Sequence, residues 1–168
     1  MVSQADPPEV AFALPGEWVR VGLDDEAEVA ELARLLEGAT DDPVSWIAST
    51  TALGGVLMMF RIRSEPSVAV LFAWPPGEET GDPSLAGLRS RLGADGEVVE
   101  HAAGYACVRL DSHVGPDDTE VLTYGVVHPE SGRLLLLRVT AFGGPFEAVD
   151  LDDYDLCASH LWWDEPDA

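Results

Sequence analysis

The chain has 168 residues, 46% of them hydrophobic, and a net charge of -22 from 31 acidic and 9 basic residues. That length suits one domain with a substantial core, and that hydrophobic fraction is typical of a globular protein, not a disordered one. The charge argues against nucleic acid and anionic membrane as partners and favours cations or basic proteins, and no apolar run approaches the ~20 residues of a membrane span.

All nine basic residues are arginine; Lys and Asn are absent, and Ile occurs only at Ile47 and Ile62. A GC-rich genome explains that scarcity and accounts for part of the acidity. The opening MVSQADPPEVAFALPG has no basic or apolar leader region and no cysteine for a lipid anchor, so the expected location is cytoplasmic. Cys107 and Cys157 lie in no metal spacing and read as free, buried thiols.

In chain order, residues 1–8 are polar and contain Pro7-Pro8, a flexible tail, matched by 164–168 at the other end. Val10 to Leu14 and Glu17 to Gly22 read as short strands either side of Pro15-Gly16. Asp24 to Glu37 is a helix, with Val29, Leu32, Ala33 and Leu36 at helical spacing, a capping-box pattern at Asp25 and Glu28, and a stop at Gly38. A second helix is capped by Asp41 or Asp42, opens with Pro43, runs to about Leu53 and buries Trp46, Ile47 and Leu53. Gly54-Gly55 ends it, with no Gly-Lys-Ser/Thr to make a phosphate loop.

Val56 to Arg63 and Ser67 to Trp74 form a hairpin through Ser64-Glu65-Pro66. Arg61 and Arg63 share one of its faces, where they bind an anion or pair with carboxylates. The segment 75–83 is the most loop-like stretch inside the chain, either a functional loop or a tolerated insertion. Ser84 to Leu92 is a short helix bearing Arg89 and Arg91, and Glu97 to Ala102 and Tyr105 to Val114 are two more strands.

Val121 to Phe142 holds two apolar runs around HPESG. If Val127 faces Leu134, then Leu122, Tyr124 and Val126 share a wholly apolar face with Leu135, Leu137 and Val139. The opposite face is mixed and carries Thr123, Arg138 and Thr140. Such a hairpin belongs at the centre of a sheet, buried under helices or a second sheet. Phe146 to His160 is the last helix, with Leu151, Tyr154, Cys157, Ala158 and Leu161 along one side and its aspartates around the other. Leu161-Trp162-Trp163 closes the chain as a short edge strand.

No catalytic, metal-binding or cofactor-binding residue is assigned. His101, His113, His128 and His160 are scattered, fit no HExxH or CxxC spacing, and each reads as solvent-exposed. Asp111-Ser112-His113 lacks a nucleophile elbow, and adjacent strand residues point to opposite faces. Asp150, Asp152, Asp153 and Asp155 are spaced a little like a calcium loop but lack its glycine and closing glutamate. The tryptophans Trp18, Trp46, Trp74, Trp162 and Trp163 are more suggestive, because aromatics anchor interfaces as well as cores.

The stretches FALPGEWVRV, YGVVHPESGRLLLLRVTAF and the final HLWW resemble a pattern in small actinobacterial proteins similar to the PsbP and Mog fold group. The resemblance covers most of the chain in pattern, and the two ends and the hairpin in residues. It implies an antiparallel sheet sandwiched between helices and a non-enzymatic role. The group's plant members support the photosystem's oxygen-evolving centre, and its yeast member binds the Ran GTPase. The pattern places Trp162 inward, leaving Trp163 outward. The chain lacks the lipobox that some of the actinobacterial proteins carry.

The expected fold is therefore α+β: a single antiparallel β-sheet of about six strands with helices on both faces, in one domain spanning 1–168. The expected function is a non-enzymatic acidic module that binds a basic protein through Trp163, Asp150, Asp152, Asp153 and Asp155. It needs no cofactor, nucleic acid or membrane. Two alternatives stand beside it: an immunity or inhibitor protein masking a basic toxin or nuclease, and a small hydrolase or ligand-binding enzyme with a deep polar pocket.

Overall fold

Strands Thr119–Val127 and Leu134–Ala141 pair antiparallel, with Val127 opposite Leu134 and Leu122 opposite Val139. This is the register that the apolar pattern demands. At the turn, the Gly132 N–H donates to the His128 carbonyl at 2.9 Å and the His128 N–H to the Arg133 carbonyl at 3.0 Å. Gly132 has φ of 67°, and a Cβ there would strike the backbone of Gly81, so both its conformation and its close neighbour require glycine.

The computed structural model describes residues 9–11, 18–62, 66–73, 81–114, 118–130, 132–142 and 145–164, with the backbone alone for 9–11, 56–62, 66–73 and 162–164. Its elements are β1 (Glu9–Ala11), β2 (Trp18–Gly22), α1 (Glu26–Leu36), α2 (Pro43–Ala52), β3 (Gly55–Ile62), β4 (Pro66–Ala73), α3 (Leu85–Leu92), β5 (Glu97–Val98), β6 (Ala106–Val114), β7 (Thr119–Val127), β8 (Leu134–Ala141), α4 (Ala148–Ser159) and β9 (Trp162–Asp164). The expected tails at 1–8 and 165–168, residues 12–16 of the first strand and its stop, Arg63, Trp74, and residues 75–80 of the expected loop lie outside the described residues.

The fold is α+β. The main sheet has the order β2-β3-β4-β8-β7-β6-β5, with every pairing antiparallel and β8 in the middle. It has seven strands where the sequence pointed to about six. β9 does not join its edge. It pairs with β1 in a separate two-stranded sheet, Val10 opposite Trp163, and Asp164, expected in a tail, pairs with Glu9. The exit of α4 explains this placement: the Ala102 N–H donates to Ser159 at 2.9 Å and the His101 ring bonds Leu161, so β9 starts beside the 101–103 turn.

Helix starts follow local chemistry. The Asp25 carboxylate accepts from the N–H groups of Ala27 at 2.8 Å and Glu28 at 3.1 Å. Glu28, expected to complete a capping box, instead accepts from the Gly22 N–H at 2.5 Å and ties α1 to the end of β2. Asp42 caps α2 through the Ser45 N–H, and Pro43 opens it. Leu53 is not buried as expected: it is the residue past the last turn of α2 and is 38% exposed. Ser84 caps α3 through the Gly87 N–H.

Among the described residues, three clusters form the core. Leu122, Tyr124, Val126, Leu135, Leu137 and Val139 pack with Tyr154, Cys157 and Ala158 of α4 and with Leu161. Val127, Leu134 and Val108 pack with Leu88 of α3. Val21, Leu32, Leu36 and Ile47 join α1 and α2 to the sheet, with Leu136 touching this cluster and the α3 cluster. A Cβ on Gly125 would overlap Leu92, so glycine lets α3 lie close to β7. Trp18 packs against the α4 cluster, and Trp46 packs against the α1–α2 cluster and lies edge-on to Phe142 at 5.4 Å, so both are partly buried flanks of the core. Both cysteines are free and buried, and burial pushes each thiol up to about 12, leaving little thiolate at neutral pH. Among the described residues, no helix is long and apolar enough to cross a membrane.

Leu137 is fully buried under α4. Leu137→Ala is expected to cost about 2–5 kcal/mol, the range for deleting a large buried aliphatic side chain. Urea unfolding of both forms measures it, and a loss too small to resolve would show that the face is not a core.

Candidate functional site

Carboxylates converge on Arg109 of β6. Strand pairing sets Glu97 opposite Arg109 on one side and Tyr124 opposite it on the other, and Asp111 follows two residues along on the same face. Packing of α4 against Tyr124 brings Asp155 over the group. The guanidinium donates through Nη2 to Glu97 at 2.6 Å, through Nε to Asp111 at 2.9 Å, and through Nη1 to both oxygens of Asp155 at 2.9 and 2.7 Å. The Tyr124 hydroxyl donates to the same carboxylate at 2.7 Å. Burial works against the Arg109 charge, but the bonds and charges of Asp155 and Asp111 outweigh it and hold its pKa above the ordinary value. Burial, and then Asp155, raise that of Tyr124.

Beside this cluster a groove of about 340 Å³ runs between β5 and α4. Its lining includes four carboxylates, Glu97, Glu100, Asp152 and Asp155, and one cation, Arg109, a formal charge of -3. All three guanidinium nitrogens of Arg109 already bond carboxylates, so the groove is dominated by acceptors. Val98 and Leu156 also line it, 53% and 59% exposed. β5 is the edge strand of the sheet.

The four expected aspartates are not all brought to the groove. Asp152 and Asp155, three apart on the helix, reach the groove. Asp150 accepts from the Glu147 N–H at 3.2 Å in a reciprocal capping box at the start of α4. Asp153 is partly buried and does not line the groove. Trp163 is placed in β9 by its backbone, and its side chain lies outside the described residues. The Arg61 side chain lies outside them too. Glu97, Glu100 and Arg109 were missed. Only the pairing of β5 with β6 sets Glu97 against Arg109, and composition carries no sign of that register.

Two histidines correct the expectation of exposure: His101 and His128 are 5% and 7% exposed, whereas His113 and His160 are exposed. His101 stacks on Tyr105 with ring centres 4.7 Å apart. Its Nδ1 accepts from the Ala103 N–H at 3.1 Å, which leaves Nε2 to donate to the Leu161 carbonyl at 3.1 Å. The pocket thus fits the neutral ring, and burial lowers its pKa despite the Leu161 bond. Ser112 donates to the Val121 carbonyl, and the His113 ring bonds Asp118, so Asp111-Ser112-His113 forms no relay. Among the described residues, no group of three His, Cys, Asp or Glu side chains is placed to hold a metal ion. No family model, no curated protein and no solved structure matches the chain.

Tyr124→Phe is expected to cost about 1–3 kcal/mol, the range for a hydrogen bond to a charged group. In a double-mutant cycle with Asp155→Asn the losses should be clearly non-additive, and additive losses would show that the bond contributes nothing. For His101, the unfolded chain takes up a proton near the ordinary 6.5 and the folded chain only at lower pH. Its stabilisation is therefore present above that value and lost as pH falls below it. Between about pH 7.5 and about pH 5.5, thermal melts of the native protein should fall more than those of His101→Phe, and parallel slopes would refute the assignment.

Proposed function

We propose that the chain is a non-enzymatic, acidic protein-binding module that receives a basic segment of its partner in the groove between β5 and α4. The observation that carries this reading is the groove itself: four carboxylates and one arginine whose three nitrogens each already bond a carboxylate, with exposed Val98 and Leu156 beside them. Incoming Arg or Lys side chains meet the outward oxygens of Glu97, Glu100 and Asp152, and their methylene stems lie on the two aliphatic residues. The net charge of -22 steers a basic partner towards the site and repels nucleic acid.

The module is, in this proposal, an α/β/α sandwich of the PsbP and Mog-like kind with helices on both faces. Alternate residues of β7 support it: Leu122, Tyr124 and Val126 enter the α4 cluster, and Val127 enters the α3 cluster.

Titration of a labelled arginine-rich peptide tests the groove. The triple variant Glu97→Gln, Glu100→Gln, Asp152→Asn should bind at least ~10-fold more weakly, a loss of about 1.4 kcal/mol. The triple variant Glu26→Gln, Glu31→Gln, Glu37→Gln, which changes the net charge equally on and beside α1, should bind nearly as the native protein does. Equal weakening in both would assign binding to overall charge and remove the groove. Native affinity should also fall steeply with salt, because the field is screened within ~8 Å at physiological ionic strength.

A further inference from the structure

Arg138 differs from Arg109, Arg34, Arg89 and Arg91. Arg109 is held by three carboxylates, and Arg34 pairs with Glu31. Arg89 and Arg91 donate to the carbonyls of Gly96 and Gly132, each at 3.0 Å. Arg138 sits partly buried in β8, the middle strand of the sheet, and among the described residues no carboxylate pairs with it. With 31 acidic residues against 9 arginines, chance alone would readily supply a partner. Burial depresses its pKa, and no attraction opposes that. A desolvated charge without a counter-charge is a cost to the folded state, and such costs concentrate where a ligand removes them.

The surroundings are rich in donors. Thr123 stands opposite Arg138 on β7, and Thr140 is two residues along β8 on the same face, 6% exposed. Neither hydroxyl makes a hydrogen bond among the described residues. On the same face Leu136 touches both the α1–α2 and the α3 clusters, giving the position an apolar wall on the turn side. A planar guanidinium on a face that also carries two hydroxyl residues at adjacent register positions suits the two oxygens of an oxyanion. The acidic groove lies across the sheet, since Tyr124 and Arg109 alternate with Thr123 and Leu110.

We propose that Arg138, with the hydroxyls of Thr123 and Thr140, binds the carboxylate or phosphate group of a small anionic ligand at a site separate from the acidic groove. The surface charge repels free anions, so saturable anion binding to this protein requires a local site.

Thermal melts in inorganic phosphate, succinate and chloride at constant ionic strength test it, with phosphate binding also followed by ³¹P line broadening. Phosphate, succinate or both should raise the melting temperature saturably above that in chloride, and the stronger response names the source of the oxyanion. Arg138→Met should abolish the shift and the broadening, and in chloride it should melt at or above the native temperature, because it removes a partly desolvated charge that has no counter-charge. Arg138→Lys and Thr123→Val should each weaken binding by ~10-fold, and they carry the test if Arg138→Met does not fold. The groove triple variant should keep the full response, which separates this site from the peptide site. Equal responses in native and Arg138 variants, or none in either, would overturn the proposal and leave Arg138 as a side chain that covers apolar surface with its stem and hydrates its head.

Discussion

Pairing Val127 with Leu134 decides what every other residue of the central hairpin faces. A slip of one residue would exchange the faces of one strand relative to the other. Arg138 and Thr140 would then enter the cluster under α4 in place of Leu137 and Val139, burying a charge where aliphatic carbon now packs. The same register sets the site. Tyr124 reaches Asp155 because it points towards α4, and Arg109 stands opposite Tyr124 because β6 takes its register from β7.

The Arg109 cluster then fixes α4 on that surface. Glu97, Asp111 and Asp155 would repel one another, and a single guanidinium with 11% of its side chain exposed holds all three at hydrogen-bond distance on two strands and a helix. The carboxylate partners Glu97, Asp111 and Asp155 are 70%, 50% and 33% exposed, so solvent screening leaves these pairs little net stability. Their effect is positional: Asp155 satisfies Arg109 and Tyr124 together in one seating of the helix. Asp150 at the cap and the His101 bond to Leu161 constrain the two ends of the same element.

What the sequence made legible was local or periodic. The hairpin register, the caps at Asp25 and Asp42, the apolar side of α4 and the burial of both cysteines each follow from a short window of residues. What stayed hidden depends on contacts between distant segments. Glu97 meets Arg109 only through the β5–β6 ladder, and His101 is buried only because the exit of α4 folds back onto it. Glu28 illustrates the boundary: its spacing from Asp25 is right for a capping box, but the end of β2 offers a free N–H within reach and the carboxylate goes there. The four aspartates of α4 are not all brought to one surface, for a simpler reason. Residues on a helix at positions 150, 152, 153 and 155 are spread around the axis and cannot share one face.

Composition bears on function less than placement does. Codon usage explains why a chain lacks lysine and leans acidic, and a chain acidic for that reason alone should surround its few cations with carboxylates wherever they fall. Arg109 follows that pattern, bound by three carboxylates beside a groove that stays negative. Arg138 does not, although it is the more central of the two in the sheet and the one that burial penalises without relief. The faces of the central strands thus differ in sign at their polar positions, one offering acceptors and the other donors. A uniform acidic background cannot generate that difference; it needs specific neighbours, Asp155 over one residue and Thr123 and Thr140 beside the other.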